Sequence, residues 1–217
     1  MDEFLLVYVE NLMCFSLFFM NFPRKKYFPI RFIASMCLGA VGVCLIGQLL
    51  SVSNLLIFIY YLIEFCMLMV LFHFCFEISW EQALGCASAG RATQHLIYQI
   101  LQLIALKFNP SAYLPSDSFL YFTGALLTYL PFCLIAYLAF SRRISAFDLD
   151  FETVEFRFRL GLLSAVMVLI CVGITRLVKT GEVRSESAII AESLYAIICC
   201  LLCLIMQFEL YQKAKLT

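Results

Sequence analysis

Apolar runs of about twenty residues, parted by short polar breaks, recur along nearly the whole of this 217-residue chain. At a rise of 1.5 Å per helical residue, each such run reaches about 30 Å, the thickness of a bilayer's hydrocarbon core. Composition agrees: 64% of residues are hydrophobic, 14% are charged and mean hydropathy is +0.95, far from an ordinary soluble domain. The predicted fold class is all-α, a polytopic transmembrane helical bundle of about seven spans, with almost nothing left over for a soluble domain.

The expected spans run from about Phe4 to Phe22, Phe32 to Leu50, Leu55 to Phe76, Ile78 to Phe108, Phe119 to Phe140, Leu160 to Val178 and Ala188 to Phe208. The turn at Ser51 to Asn54 is short enough to make the second and third spans an antiparallel hairpin. Trp80 suits the headgroup level at the start of the fourth span, which Asn109-Pro110-Ser111 stops. Pro131 should kink the fifth span. The connection from Ser141 to Arg159 alternates apolar and charged residues, a pattern shared by strands and interfacial segments. Residues 1–208 thus read as the bundle, and residues 209–217 as the start of a cytoplasmic coupling helix. The acidic start Met1-Asp2-Glu3, with no small-x-small cleavage site after the first run, reads as a retained first span.

Lysine and arginine counts set the expected orientation. With the N-terminus outside, the inner side carries Arg24, Lys25, Lys26, Arg31, Arg142, Arg143, Arg157, Arg159, Lys213 and Lys215, ten in all. The outer side carries four, Lys107, Arg176, Lys179 and Arg184. The chain therefore reads as a multi-pass plasma-membrane protein with its C-terminus in the cytoplasm.

Polar residues inside such a bundle are expensive and so mark function or register. Between Ile78 and Phe108 the residues Glu81, Ser88, Arg91, His95, Tyr98 and Gln102 fall at spacings of seven, three, four, three and four, one stripe of a helix. An arginine there must meet a carboxylate, an amide or trapped solvent. Glu10, Glu64, Glu81 and Glu192 are the candidates, and Glu64 is favoured because it sits at comparable depth across a short inner loop. The expected buried polar cluster is Glu64, Arg91, Gln94, His95, Tyr98, Gln102 and Glu192, either fixing register or coupling a signal. Small residues at Ser35, Gly39 and Gly47, and at Gly85 and Ala89, would let helices approach closely.

Other chemistry is not encoded in these residues. The eleven cysteines lie in or at the ends of apolar runs and behave as small hydrophobes; Cys199, Cys200 and Cys203 lack a second ligand cluster. With only His73 and His95, a histidine metal site is not expected. Nucleophile-elbow, zincin and phosphate-loop motifs are absent, so no catalytic residue, cofactor or nucleic-acid partner is expected.

The segment Ala83 to Tyr98, small-residue-rich and ending in Gln94-His95 with Tyr98 beyond, resembles the fourth-span region of GHKL-type sensor histidine kinases related to the Agr-type quorum-sensing receptors of Gram-positive bacteria. The layout of short-looped spans with a helical exit at Glu209 to Leu216 is similar too. The resemblance implies a homodimeric membrane sensor of a two-component system. It would detect an extracellular peptide or small-molecule signal and pass a conformational change to a cytoplasmic kinase region, which this sequence does not contain. On that reading the outer surface would use Tyr113, Leu114 and Phe119 for apolar contact, and Glu182, Arg184 and Glu186 for charge. The alternative, from a different class, is a substrate-binding subunit of a small-solute transporter, with Arg91, His95 and Gln102 holding a polar solute; no internal repeat supports it. A purely structural assembly protein is the third reading.

Overall fold

A computed structural model of the chain describes residues 2–20, 22–50, 54–108, 131, 134–135, 138, 162–171 and 186–216. Among these, regular structure is helical: α1 (Asp2–Phe19), α2 (Phe28–Leu50), α3 (Asn54–Cys75), α4 (Trp80–Phe108), α5 (Leu162–Cys171) and α6 (Glu186–Leu216). The expected fifth span is described only at Pro131, Leu134, Ile135 and Leu138, and the 141–159 connection lies outside the described residues.

Two of the described helices, over Phe28–Leu49 and Ser187–Ile205, are long and apolar enough to cross a membrane. That count is of the described residues, which leave out most of the expected fifth span and part of the sixth; among the rest, it falls short of the expectation for physical reasons. The apolar stretches of α1 and α3 are shorter, Leu5–Phe19 and Ile59–Cys75. The long helix α4 is diluted by its own polar residues, Arg91, Gln94, His95 and Gln99 among them.

Beside an apolar core, the described residues carry an apolar exterior and enclose a set of polar side chains. Ile30, Ile33, Leu38, Val41, Leu45 and Leu49 of α2 are exposed, as are Leu194, Tyr195, Ile198, Leu202 and Ile205 of α6. Glu10, Asn11, Glu64, Arg91, Gln94, His95 and Gln99 are buried. Such an apolar exterior far exceeds the scattered hydrophobes of an ordinary surface.

Helix α4 is the centre of the assembly. It packs most extensively against α6 and α1, while α2 packs chiefly on α3. From Gly85 through His95 its residues are buried or nearly so on every face. The helix begins with a reciprocal cap: the Gln82 amide N–H donates to Ser79 Oγ at 3.3 Å, and the Ser79 N–H donates to Gln82 Oε1 at 3.0 Å. That pair satisfies two of the donors a helix start leaves open.

At the same end, the α1–α2 connection crosses the α3–α4 connection in an antiparallel bridge between Arg24 and Phe76. The last carbonyls of α3 are all met there. Phe76 N–H donates to Phe72 O at 3.0 Å, Lys25 Nζ to His73 O at 2.8 Å, Arg31 Nη1 to Phe74 O at 3.3 Å and Lys25 N–H to Cys75 O at 3.1 Å. Two cations thus sit on the negative end of the α3 dipole. Phe19, Phe28, Phe72 and Phe76 close this end with ring contacts of 4.7–6.2 Å. On the other side of α4, Cys171 Sγ reaches Ala196 O and Cys203 Sγ reaches Ser164 O, each at 3.9 Å, which fixes α5 and α6 antiparallel.

Close approach falls partly elsewhere than the small-residue spacing suggested. Gly39 does accommodate a neighbour: a Cβ there would collide with the Tyr8 hydroxyl, which donates to Met36 O at 3.0 Å. On α4, however, Gly85 has open space around it, and Gly90 is the contact residue; a Cβ there would lie 2.8 Å from Phe15 Cδ2 and 3.0 Å from its Cα. Spacing alone could not tell which side of α4 meets α1, because α4 packs against α6 and α3 as well. Replacement of Gly90 by alanine is expected to force α1 and α4 apart and to cost about 1–3 kcal/mol. Gly85→Ala should instead be neutral or stabilise by up to about 1 kcal/mol through helix propensity. Thermal unfolding of the two variants in detergent compares them directly.

Candidate functional site: a buried carboxylate, guanidinium and amide network

Three helices contribute to this network, α1 and α3 from otherwise apolar stretches and α4 from a more polar one. Glu64 stands on α3 between Ile63 and Phe65, Glu10 and Asn11 stand side by side on α1, and Arg91 and Gln94 lie one turn apart on α4. Packing α1 and α3 against α4 turns all five inward.

Glu64 is the shared acceptor. Asn11 Nδ2 donates to its Oε1 at 2.8 Å, and Arg91 Nη1 donates to its Oε2 at 3.5 Å. Both partners of the ion pair are only 2% exposed. The Asn11 bond is tight, whereas the arginine contact is long for a charge-assisted bond, ordinarily about 2.7–2.9 Å. Arg91 gains a second partner in Tyr61, whose ring centroid lies 5.0 Å from the guanidinium carbon, within cation–π range. A second link is made one turn on: Gln94 Nε2 donates to Glu10 Oε2 at 3.0 Å. Arg91 therefore ties α4 to α3, and Gln94 ties α4 to α1.

His95 turns toward its own helix. Its Nε2 lies 3.3 Å from Gln99 Nε2, and its ring lies nearly parallel to that of Tyr98 with centroids 6.2 Å apart. Ser88 is also satisfied locally, donating to Leu84 O at 2.7 Å. Tyr98 and Gln102 are half-buried toward the far end of α4, and Glu192 is half-buried on α6 rather than enclosed with the others. Glu81 lies in the first turn of α4, half-buried. Tyr113, Leu114, Phe119, Glu182 and Arg184 lie outside the described residues, and Glu186 opens α6.

Asn11 and Gln99 were not among the expected site residues. The stripe of six residues drew attention to one face of α4, and Gln99 lies off it. Asn11 had a usable signal all the same: a buried carboxylate on one helix needs donors from its neighbours, and Glu10-Asn11 is the polar pair of the first run.

The network is not closed. Arg91 Nε, Asn11 Oδ1, Thr93 Oγ1 and Gln102 Oε1 are buried polar atoms with no hydrogen-bond partner among the described residues. Two of them, a donor on Arg91 and an acceptor on Asn11, belong to the two side chains that grip Glu64. Buried polar groups are normally satisfied, so these atoms leave hydrogen-bonding capacity that the described side chains do not use. Among the described residues no group of three or more histidine, cysteine or acidic side chains is placed to hold a metal. Comparison with family models, with curated proteins and with solved structures finds no match.

Removing one partner of a buried ion pair costs about 3–5 kcal/mol, because the other charge stays behind in a medium that cannot solvate it. Arg91→Gln alone is expected to lower stability by that order, whereas Arg91→Gln combined with Glu64→Gln should recover much of the loss. A double-mutant cycle on unfolding in detergent reads the coupling, and strictly additive losses would dissolve the pair.

Proposed function

We propose that this chain is a membrane-embedded sensor module, a helical bundle that takes up an extracellular signal and relays it along α6 to the cytoplasmic side. The observation that carries this reading is the incompletely satisfied polar network at the junction of α1, α3 and α4, in a bundle whose exterior is apolar. An ionisable network enclosed by apolar helices marks a functional site in a membrane protein. Unused donors and acceptors beside the ion pair give the bundle a second way to pair its polar groups, and a switch needs two arrangements of similar energy. Helix α4 packs on α6, and α6 runs unbroken through 31 residues to Leu216. Motion of α4 relative to α1 and α3 would therefore be felt at the end of α6.

Orientation and pathway belong to the same reading. The Arg24–Arg31 end would face the cytoplasm, and the signal would bind among the outer loops carrying Tyr113, Leu114, Phe119, Glu182, Arg184 and Glu186. With the Agr-type resemblance of residues 83–98, the signal would be a short peptide and the recipient a dimeric histidine kinase region. The same orphaned atoms favour one other reading, a polar solute held at Arg91, Asn11 and Gln102 in a transporter subunit.

The two readings part in one experiment. Spin labels at Gln212 and Ser79, with the protein in lipid nanodiscs, are expected to show two distance populations whose ratio shifts in Glu64→Gln. A single unchanged population would refute the sensor. Small polar solutes that raise the melting temperature of the wild type but not of Arg91→Gln, without shifting the two distance populations, would favour the transporter. A reporter fused after Leu216 should be cytoplasmic, and extracellular labelling of it would overturn the orientation.

A further inference from the structure

The loop that joins α1 to α2 contains an expense the fold does not explain. Tyr27 is the non-glycine residue with positive φ, at 62°, among the described residues. A bulky side chain is disfavoured in that left-handed region, where glycine or asparagine fits readily. The tyrosine ring does little within the protein in return, since the residue is 63% exposed. What the ring does touch is a cation, with Lys26 Nζ 5.1 Å from its centroid.

The surroundings repeat that pattern. Arg24 is exposed and stacks its guanidinium 5.0 Å from the Phe28 ring. Arg31 lies 4.9 Å from the ring of Phe74, which is half exposed, and Trp80 is equally exposed while stacking on His73 at 3.8 Å. Two of the four cations in residues 24–31 are occupied in capping α3, through Lys25 and Arg31. Arg24 and Lys26 are left at the surface, and the Arg24–Phe76 bridge with the Lys25 N–H bond to Cys75 O holds the backbone beside them in place. Against the four basic residues stand two acidic ones, Glu77 of the crossing connection and Glu81 of the first turn of α4, so this end remains net positive.

From this juxtaposition we infer that the α1–α2 turn, with Phe74 and Trp80 beside it, is a binding site for the headgroup of an anionic phospholipid. Arg24 and Lys26 meet the phosphate. Tyr27 and Trp80 lie at the depth of the glycerol backbone, where amphipathic rings are favoured. The exposed aliphatic face of α2 that follows, beginning with Ile30 and Ile33, receives the acyl chains. A free phosphate would account for the cations but not for the exposed rings and aliphatic face beside them. Charge complementarity and the apolar continuation together select a lipid over a soluble anion. The inference rests on the membrane reading above.

The test uses the full chain in nanodiscs with spin-labelled phosphatidylglycerol and phosphatidylcholine as competing probes. The wild type is expected to prefer the anionic lipid several-fold, a preference that raised salt weakens. Arg24→Gln with Lys26→Gln should bring the ratio close to one. Tyr27→Gly should also reduce it, while leaving the melting temperature in lipid-free detergent unchanged or higher, because the strained residue is gone. Equal retention of the two lipids by the wild type overturns the proposal, as does displacement of phosphatidylglycerol by millimolar inorganic phosphate. A lower melting temperature for Tyr27→Gly in detergent would place the ring's role inside the protein and overturn it as well. Failure of the membrane reading is a separate result, visible as a chain that stays in solution without detergent or lipid.

Discussion

One carboxylate organises the bundle. Glu64 is acceptor to an amide from α1 and a guanidinium from α4, so three helices are held in register by the need to solvate a single charge. Removed from water, a carboxylate is costly unless its oxygens are met. Aliphatic packing tolerates small slips of one helix along another. A hydrogen bond of 2.8 Å from Asn11 does not. The second link, from Gln94 to Glu10, repeats the constraint one turn along α4 and so fixes rotation as well as translation.

The capped end of α3 is a second fixed point, built from different chemistry. Backbone and side chain of Lys25, the side chain of Arg31 and the amide of Phe76 meet four successive carbonyls, so this terminus does not depend on water to satisfy it. The first connection of the chain thereby becomes part of the third helix's structure. The positive charge that orients the chain in the sequence reading is thus partly consumed in holding the fold, and only its remainder is offered outward.

Much of the helical layout was legible because apolar runs must be helical at these lengths, and the observed bounds of α2 and α3 lie within a few residues of those expected. The partnership of Arg91 with Glu64 could be read from equal depth across a short loop, since a buried charge narrows its own options. The role of α4 as the central helix could not. Its polar residues gave one stripe, but α4 packs against α1, α3 and α6 at once, and sequence spacing cannot show which neighbour each residue meets. Gly90 was overlooked for the same reason, and Gly85 was favoured on spacing alone. Tyr27 was illegible in principle, because nothing in the local sequence marks a tyrosine that will adopt a left-handed backbone.

The contact between Gly90 and Phe15 has a mechanical consequence. Where only a hydrogen atom separates two backbones, the helices are geared together, and neither α1 nor α4 can glide past the other without driving a side chain into its neighbour. Tilting about that point is the relative movement this contact opposes least. A small swing at one extremity would then emerge at the opposite extremity with reversed sense, as with a lever on a fulcrum.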